Sequence, residues 1–227
     1  MLIAAVSDCH GLLNNINLLP DADVLVVAGD YCPDFNGKYD GAEDQLKWIE
    51  GEFCHFLATL NYERIIVVAG NHDFVHYYPE TAVRAKNIYK NNYIVYLEDN
   101  EFTYNGVKFY GSPWQPWFYD WAFNFPRHDP VDGYKVAVET WSKIPSNTDV
   151  LITHGPPYKV LDLTPSGMNV GCVILKEHVL KIRPKLHVFG HIHLSYGMEV
   201  NENTTFGNVS LCNEQYESVN KIQVFEV

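Results

Sequence analysis

Ile65-Ile66-Val67-Val68-Ala69-Gly70-Asn71-His72-Asp73 joins an apolar run to a cluster of amide, imidazole and carboxylate side chains. The run is short, rich in β-branched residues and free of polar alternation, so it reads as a strand buried on both faces. Four other segments repeat the pattern: Leu2–Val6 before Asp8-Cys9-His10, Val24–Ala28 before Gly29-Asp30, Val150–Ile152 before Thr153-His154-Gly155, and Leu186–Phe189 before Gly190-His191-Ile192-His193. Polar residues that each follow a buried strand gather along one rim of a sheet, where open α/β folds place their ligands.

A divalent ion that polarises a phosphoryl oxygen and activates water needs anionic oxygen and neutral imidazole ligands, with positions left open for substrate. Asp8, His10, Asp30, Asn71, His154, His191 and His193 offer that set. Asp8 and His10 lie two apart, so an extended chain turns both to one side and Cys9 away; His191 and His193 repeat the spacing. Asp30 can lend one oxygen to each of two ions. Asn71, His154 and His191 suit the second ion, and His193 completes the first. Taken singly, each has an ordinary explanation: an Asp at a strand end caps the next helix, and His154 before Pro156 and Pro157 can be a loop residue. Their conjunction points to a metal centre.

In order and in kind, the five clusters resemble the calcineurin-like metallophosphoesterases, whose signature runs Asp-x-His, Gly-Asp, Gly-Asn-His, a later His-Gly and Gly-His-x-His. The stretches Gly111-Ser112-Pro113-Trp114-Gln115-Pro116-Trp117-Phe118, Trp121-Ala122-Phe123-Asn124, His154-Gly155-Pro156-Pro157, Gly171-Cys172 and Leu186 to His193 look like the metallophosphoesterase-domain-containing group, the class III cyclic nucleotide phosphodiesterase-like branch. The resemblance implies one ion on Asp8, His10, Asp30 and His193, and a second on Asp30, Asn71, His154 and His191. It also assigns His72 to the substrate phosphate, as general acid or as charge stabiliser, with Asp30 and Asn71 as its catalytic companions. Members that replace the first His of the last motif by Gly lose activity, and this chain keeps His191. After Gly29-Asp30 the chain reads Tyr31-Cys32-Pro33-Asp34, unlike the Asp-Arg-Gly of protein Ser/Thr phosphatases and unlike the Phe-Thr of the closer group.

The chemistry so implied is attack on phosphorus, in line with the leaving oxygen, by a hydroxide held between two ions about 3.5–4 Å apart. His72 would then hand a proton to the departing alkoxide. The histidine content of the ligand set favours Mn²⁺, with Fe, Ni²⁺ or Zn²⁺ as substitutes, over Mg²⁺ and Ca²⁺. Asp73 either orients an imidazole or caps the following helix. The aromatic segment holding Trp114, Trp117, Phe118, Tyr119, Trp121, Phe123 and Phe125 is expected to fasten a Pro-rich connection to the body of the domain; a wall for stacking a nucleobase is its alternative role. His55, His76, His128, His178 and His187 have no partner at ligand spacing and are expected at the surface or in hydrogen bonds.

The 227 residues, 47% hydrophobic, suffice for one core, and residues 1–227 are expected to form a single metallophosphoesterase domain. A net charge of −12, without a Lys/Arg cluster, argues against a nuclease on long nucleic acid and for a small phosphate ester. Five cysteines without CxxC spacing suggest a reducing compartment, and no apolar run approaches eighteen residues, so a cytoplasmic protein without a membrane segment is expected. Helices are expected near Leu12–Leu19, Glu43–Leu60, Pro79–Lys86, Gly133–Lys143 (with Trp141 in the core) and Cys172–Ile182. Tyr93–Leu97, Glu101–Tyr104 and Val107–Tyr110 read as strands of a second sheet with a hairpin turn at Asn105-Gly106. Tyr196–Val200, Thr204–Leu211 and Ile222–Val227 are expected to complete that sheet. The fold class is α/β, a four-layer αββα sandwich of two mixed sheets packed face to face with flanking helices. The expected function is a dinuclear metal-dependent phosphodiesterase for small diesters such as 2′,3′- or 3′,5′-cyclic nucleotides. Its rivals are a phosphomonoesterase or protein phosphatase, and a non-catalytic metal-binding scaffold.

Overall fold

The computed structural model describes residues 1–13, 20–35, 38–126, 130–201 and 203–227. The expected helix over Leu12–Leu19 falls largely outside them, as does His128. The strands are β1 Leu2–Val6, β2 Val24–Ala28, β3 Arg64–Val68, β4 Val95–Leu97, β5 Asn100–Tyr104, β6 Val107–Ser112, β7 Val150–Thr153, β8 Leu186–Phe189, β9 Gly197–Val200, β10 Thr205–Asn208 and β11 Gln223–Glu226. They form two mixed sheets, ordered β11-β1-β2-β3-β4 and β5-β6-β7-β8-β10-β9.

Strand periodicity generates the layers, because successive side chains point to opposite faces. In β1, Ile3 and Ala5 join Val26, Ile66, Val150, Ile152 and Val188 in the apolar layer between the sheets. Ala4 and Val6 point the other way, with Leu25, Val27 and Val67, onto the helical segment bearing Leu46, Ile49, Phe53 and Leu57. Leu151 and Phe189 do the same for the second sheet, against Trp141, Leu175 and Val179. Both faces of these strands are therefore dry, which is why their sequence shows no alternation. Each buried Val, Ile or Leu contributes roughly 1.5–3 kcal/mol.

Helix α1 (Lys38–Trp48) continues through a π-helical turn, Ile49–Phe53, into α2 (Cys54–Ala58). After α3 (Phe74–Tyr77), α4 spans Pro79–Asn91, longer than its sequence signal because Ala82, Ala85 and Tyr89 carry the buried stripe onward. Helices α5 (Pro130–Trp141) and α6 (Val173–Ile182) cover the second sheet, and Trp141 is fully buried.

Two strands differ from expectation. β4 pairs in parallel with β3, Ile66 opposite Val95, and so belongs to the first sheet, although β5 and β6 form the expected hairpin. The crossover through α3 and α4 returns the chain beside β3, the usual outcome of a strand–helix–strand connection. β11 does not close the second sheet; it runs antiparallel to β1, with Ile3 opposite Phe225, and covers the edge of the first. All five cysteines are free and buried. Among the described residues, no helix is long and apolar enough to cross a membrane.

Candidate metal centre

The parallel strands β1, β2 and β3 of one sheet, and β7 and β8 of the other, deliver their following residues to a shared rim. Backbone hydrogen bonds tie these ends together: Asp8 N–H to Gly29 O at 3.0 Å, His10 N–H to Asp30 O at 2.9 Å, and Gly190 N–H to His154 O at 2.9 Å. Ser7 bridges across to Ser210, which joins the rims of the two sheets.

Asp8, His10, Asp30 and His191 have φ of 53°, 44°, 52° and 69°. Asp8 and His10 therefore do not converge through an extended chain, as their spacing suggests; each lies in the sparsely populated left-handed region. Such strain persists where surrounding structure over-determines it, and it clusters at functional sites. Two glycines make the close approach possible. A Cβ on Gly70 would fall 2.8 Å from Asp30 Cγ, and one on Gly190 would fall 2.7 Å from Ser7 Cβ and against the Asp8 carboxylate.

Among the described residues, three donor groups result. In the first, Asp8, His10 and His193 hold ligand-type atoms within 4.8 Å of one another. Asp8 Oδ2 accepts from Ser7 Oγ at 2.5 Å and Ser210 Oγ at 2.7 Å, and Oδ1 lies 3.4 Å from His193 Nε2. His193 donates from Nδ1 to Asn213 O at 2.9 Å, which aims Nε2 inward. In the second, Asp30, His154 and His191 gather within the same limit of 4.8 Å. His154 donates from Nδ1 to Ala28 O at 3.0 Å, so Nε2 faces Asp30 Oδ2 at 3.1 Å and Asn71 Oδ1 at 3.0 Å.

Both ring nitrogens of His10 and the Nδ2 of Asn71 are buried without a hydrogen-bond partner. Orphaned buried polar atoms are costly, and for a nitrogen lone pair a cation removes the cost. Burial holds His10 neutral, with a pKa lowered to about 4, and His191 likewise, to about 3. For His154 and His193 burial also penalises the charge, but the carboxylates of Asp30 and Asp8 outweigh it and raise each to about 9. A proton there occupies the place between imidazole and carboxylate that a divalent ion would take. Carboxylate, amide oxygen and imidazole donors suit a divalent transition metal.

His72 belongs to the third group, with Asp34 and His10, and so adjoins the first through His10. Its Nδ1 lies 2.7 Å from Asp34 Oδ1, its ring stacks on Trp121 with centroids 4.0 Å apart, and its Nε2 lies 3.9 Å from Asp30 Oδ2. Its pKa is raised: burial works against the charge, but Asp30 and Asp34 prevail. Asp34 was not among the sequence candidates, and its only signal is its place in the segment that departs from the resembled pattern. Tyr216, also unanticipated, sets its ring edge-on to His10 at 4.6 Å. Asp73 neither orients an imidazole nor makes a side-chain cap to α3; its carboxylate accepts the backbone N–H groups of Asp30, Gly70 and Cys32.

The aromatic segment is fastened at one end and open at the other. Ala122, Phe123 and Phe125 are buried, and Ala122 N–H donates to Asn71 O at 3.1 Å, binding the segment to the site's backbone. Trp114 Nε1 donates to Asp99 Oδ2 at 3.2 Å. Phe118 is 44% exposed, edge-on to His191. Of the histidines given no role in the site, His76 and His187 are buried and hydrogen-bonded, to Tyr31 and Thr153.

The sequence profile of the calcineurin-like phosphoesterases matches residues 1–195. Human metallophosphoesterase domain-containing protein 1 is 39% identical over 236 aligned residues, which cover 95% of this chain and 67% of the human protein. UPF0046 protein T07D4.2 of Caenorhabditis elegans is 32% identical, over 96% of this chain and 58% of that one. The crystal structure of TT1561 of Thermus thermophilus shares the fold, with a TM-score of 0.60 at 16% identity over 99% of this chain and 97% of that chain. The chain thus belongs to the calcineurin-like phosphoesterase family and is a metal-dependent phosphoric ester hydrolase.

Proposed function

We propose that this protein is a dinuclear phosphodiesterase acting on a small nucleotide-like diester, such as a 2′,3′- or 3′,5′-cyclic nucleotide. Asp8, His10, Asp30 and His193 would hold one ion, and Asp30, Asn71, His154 and His191 the other. The observation that carries the assignment is the convergence of carboxylate and imidazole donors, with the buried ring nitrogens of His10 left without a hydrogen-bond partner. The histidine-rich set favours Mn²⁺, with Fe, Ni²⁺ or Zn²⁺ able to replace it. When bound, the ions supply Lewis-acid polarisation of the phosphoryl oxygens and lower the pKa of water.

The chain's own side chains supply position and a proton. Asp34 holds Nδ1 of His72 and Trp121 fixes the ring plane, so Nε2 is turned into the site toward Asp30. From there it can protonate the alkoxide that leaves a diester, a poor leaving group without a proton. Ser7 and Ser210 donate to Asp8 Oδ2, while Oδ1 accepts the His191 N–H at 3.2 Å and faces His193 Nε2 at 3.4 Å. We read residues 1–227 as one catalytic domain. The five free cysteines support a reducing, cytoplasmic setting. The charge of −12 supports a small substrate over a long polyanion.

Hydrolysis of bis-p-nitrophenyl phosphate, p-nitrophenyl phosphate and 2′,3′-cAMP with Mn²⁺ supplied tests the reading. Turnover of the diesters above the monoester is expected; the reverse order would make the protein a phosphomonoesterase. Failure both to bind metal and to gain thermal stability from Mn²⁺ would leave a scaffold, since an ion that binds only the folded state must stabilise it.

A further inference from the structure

We infer that the site has a second, pre-built compartment that receives an uncharged aromatic ring attached through an ester oxygen of the substrate. The inference rests on the phosphodiesterase reading and specifies which diesters fit. A cavity of about 350 Å³ opens beside His191, between Trp117 and Phe118 on one segment and Pro165 and Val170 on another, with Glu214 also in its lining. The volume is within the range of small-molecule sites. His191 belongs both to this lining and to the donor group with Asp30 and His154. A phosphorus atom held by that group therefore has a substituent next to the cavity.

Both walls are anchored by polar side chains dedicated to them. Asn124 accepts from Phe118 N–H at 3.2 Å and donates to the carbonyls of Phe118 at 3.2 Å and Tyr119 at 2.8 Å. Asp162, 1% exposed, accepts from Lys159 N–H at 2.9 Å, Gly171 N–H at 2.8 Å and Asn169 Nδ2 at 2.6 Å, and so fixes the loop that carries Pro165 and Val170. Phe118 and Val170 remain 44% and 37% exposed in consequence. Apolar surface held open by such hydrogen bonds is preorganised for a ligand rather than collapsed on itself.

The lining also selects by charge. Among the described residues of the lining there is no Lys or Arg, and Glu214 brings a carboxylate. A second phosphate would meet repulsion and no counter-charge, whereas a neutral ring meets aromatic and proline surfaces. The favoured substrate is therefore a monoanionic diester with a ring-bearing alcohol, rather than a polyphosphate.

Diphenylphosphinate and dimethylphosphinate are monoanions of diester shape that cannot be hydrolysed, and they differ only in the rings. Calorimetric titration of Mn²⁺-loaded protein should show diphenylphosphinate binding at least ~10-fold tighter, about 1.4 kcal/mol. Phe118→Ala and Val170→Asp should each cut that preference below about threefold while leaving dimethylphosphinate affinity in place. Equal affinities in the wild type, or a preference that both variants retain, overturns the inference. Binding of neither anion by a protein that still hydrolyses bis-p-nitrophenyl phosphate overturns the compartment alone; binding of neither without hydrolysis removes the phosphodiesterase reading as well.

Discussion

The carboxylate of Asp73 accepts the backbone N–H of Asp30 at 2.8 Å, and the same oxygen accepts Gly70 N–H at 2.7 Å, while the other takes Cys32 N–H at 2.9 Å. One buried side chain thus fixes the turns after β2 and β3 against each other. Asp73→Asn replaces one acceptor by an NH₂ group that must face a backbone N–H. The loss should be about 1–3 kcal/mol in urea unfolding, the penalty of an unsatisfied buried donor. Unchanged stability would mean that the turns hold themselves.

Gly70 passes so close to Asp30 that a methyl group has nowhere to go: its Cβ would lie 2.5 Å from Asp30 N and 2.8 Å from Cγ. Backbone cannot give way as a flexible side chain can. Gly70→Ala should displace the Asp30 carboxylate, destabilise the fold by roughly 1–3 kcal/mol, and lower the metal content of the purified protein. Elemental analysis showing full metal occupancy would contradict the close-approach account.

Asp34 Oδ1 lies 2.7 Å from Nδ1 of His72, so in the proposed mechanism it would act by positioning that ring. Asp34→Ala should reduce kcat for bis-p-nitrophenyl phosphate by about 10–100-fold, with KM and bound metal little changed. Asp34→Asn, which can still accept from Nδ1, should recover part of the loss. A rise in KM with kcat intact would place Asp34 in substrate binding instead.

His76 and His187 are buried, and burial lowers the pKa of each to about 3. An unfolded chain titrates near 6.5, so between about 3 and 6.5 only the unfolded state takes up these protons. Stability from the neutral rings is complete above that range and falls as pH drops, by up to ~1.4 kcal/mol per pH unit for each histidine. His187→Gln keeps a partner for Thr153 but cannot titrate. Its urea midpoint should fall less steeply than the wild type's between pH 6.5 and 5, and parallel slopes would refute the assignment.

Much of the fold was legible because its central strands are buried on both faces. The runs at Leu2–Val6, Val24–Ala28 and Leu186–Phe189 coincide with β1, β2 and β8 residue for residue. β4 and β11 were assigned to the wrong sheet because short edge strands choose partners through backbone pairing, which leaves little trace in side-chain pattern. The candidate donors were legible where they come within a few residues of the end of such a strand. Asp34 and Tyr216 were not, since each reaches His72 or His10 from a distant loop with no local spacing to mark it. The left-handed backbone at Asp8 and His10 was also hidden, because spacing alone cannot distinguish an extended chain from a strained turn that brings the same side chains together.

The most direct test is the metal content of wild-type, His191→Ala and His72→Ala protein purified with Mn²⁺, measured beside diester turnover. Wild type and His72→Ala should each carry about two ions per chain, His191→Ala about one or fewer, and both variants should lose turnover. Two ions retained in His191→Ala, or none in the wild type, would contradict the dinuclear site.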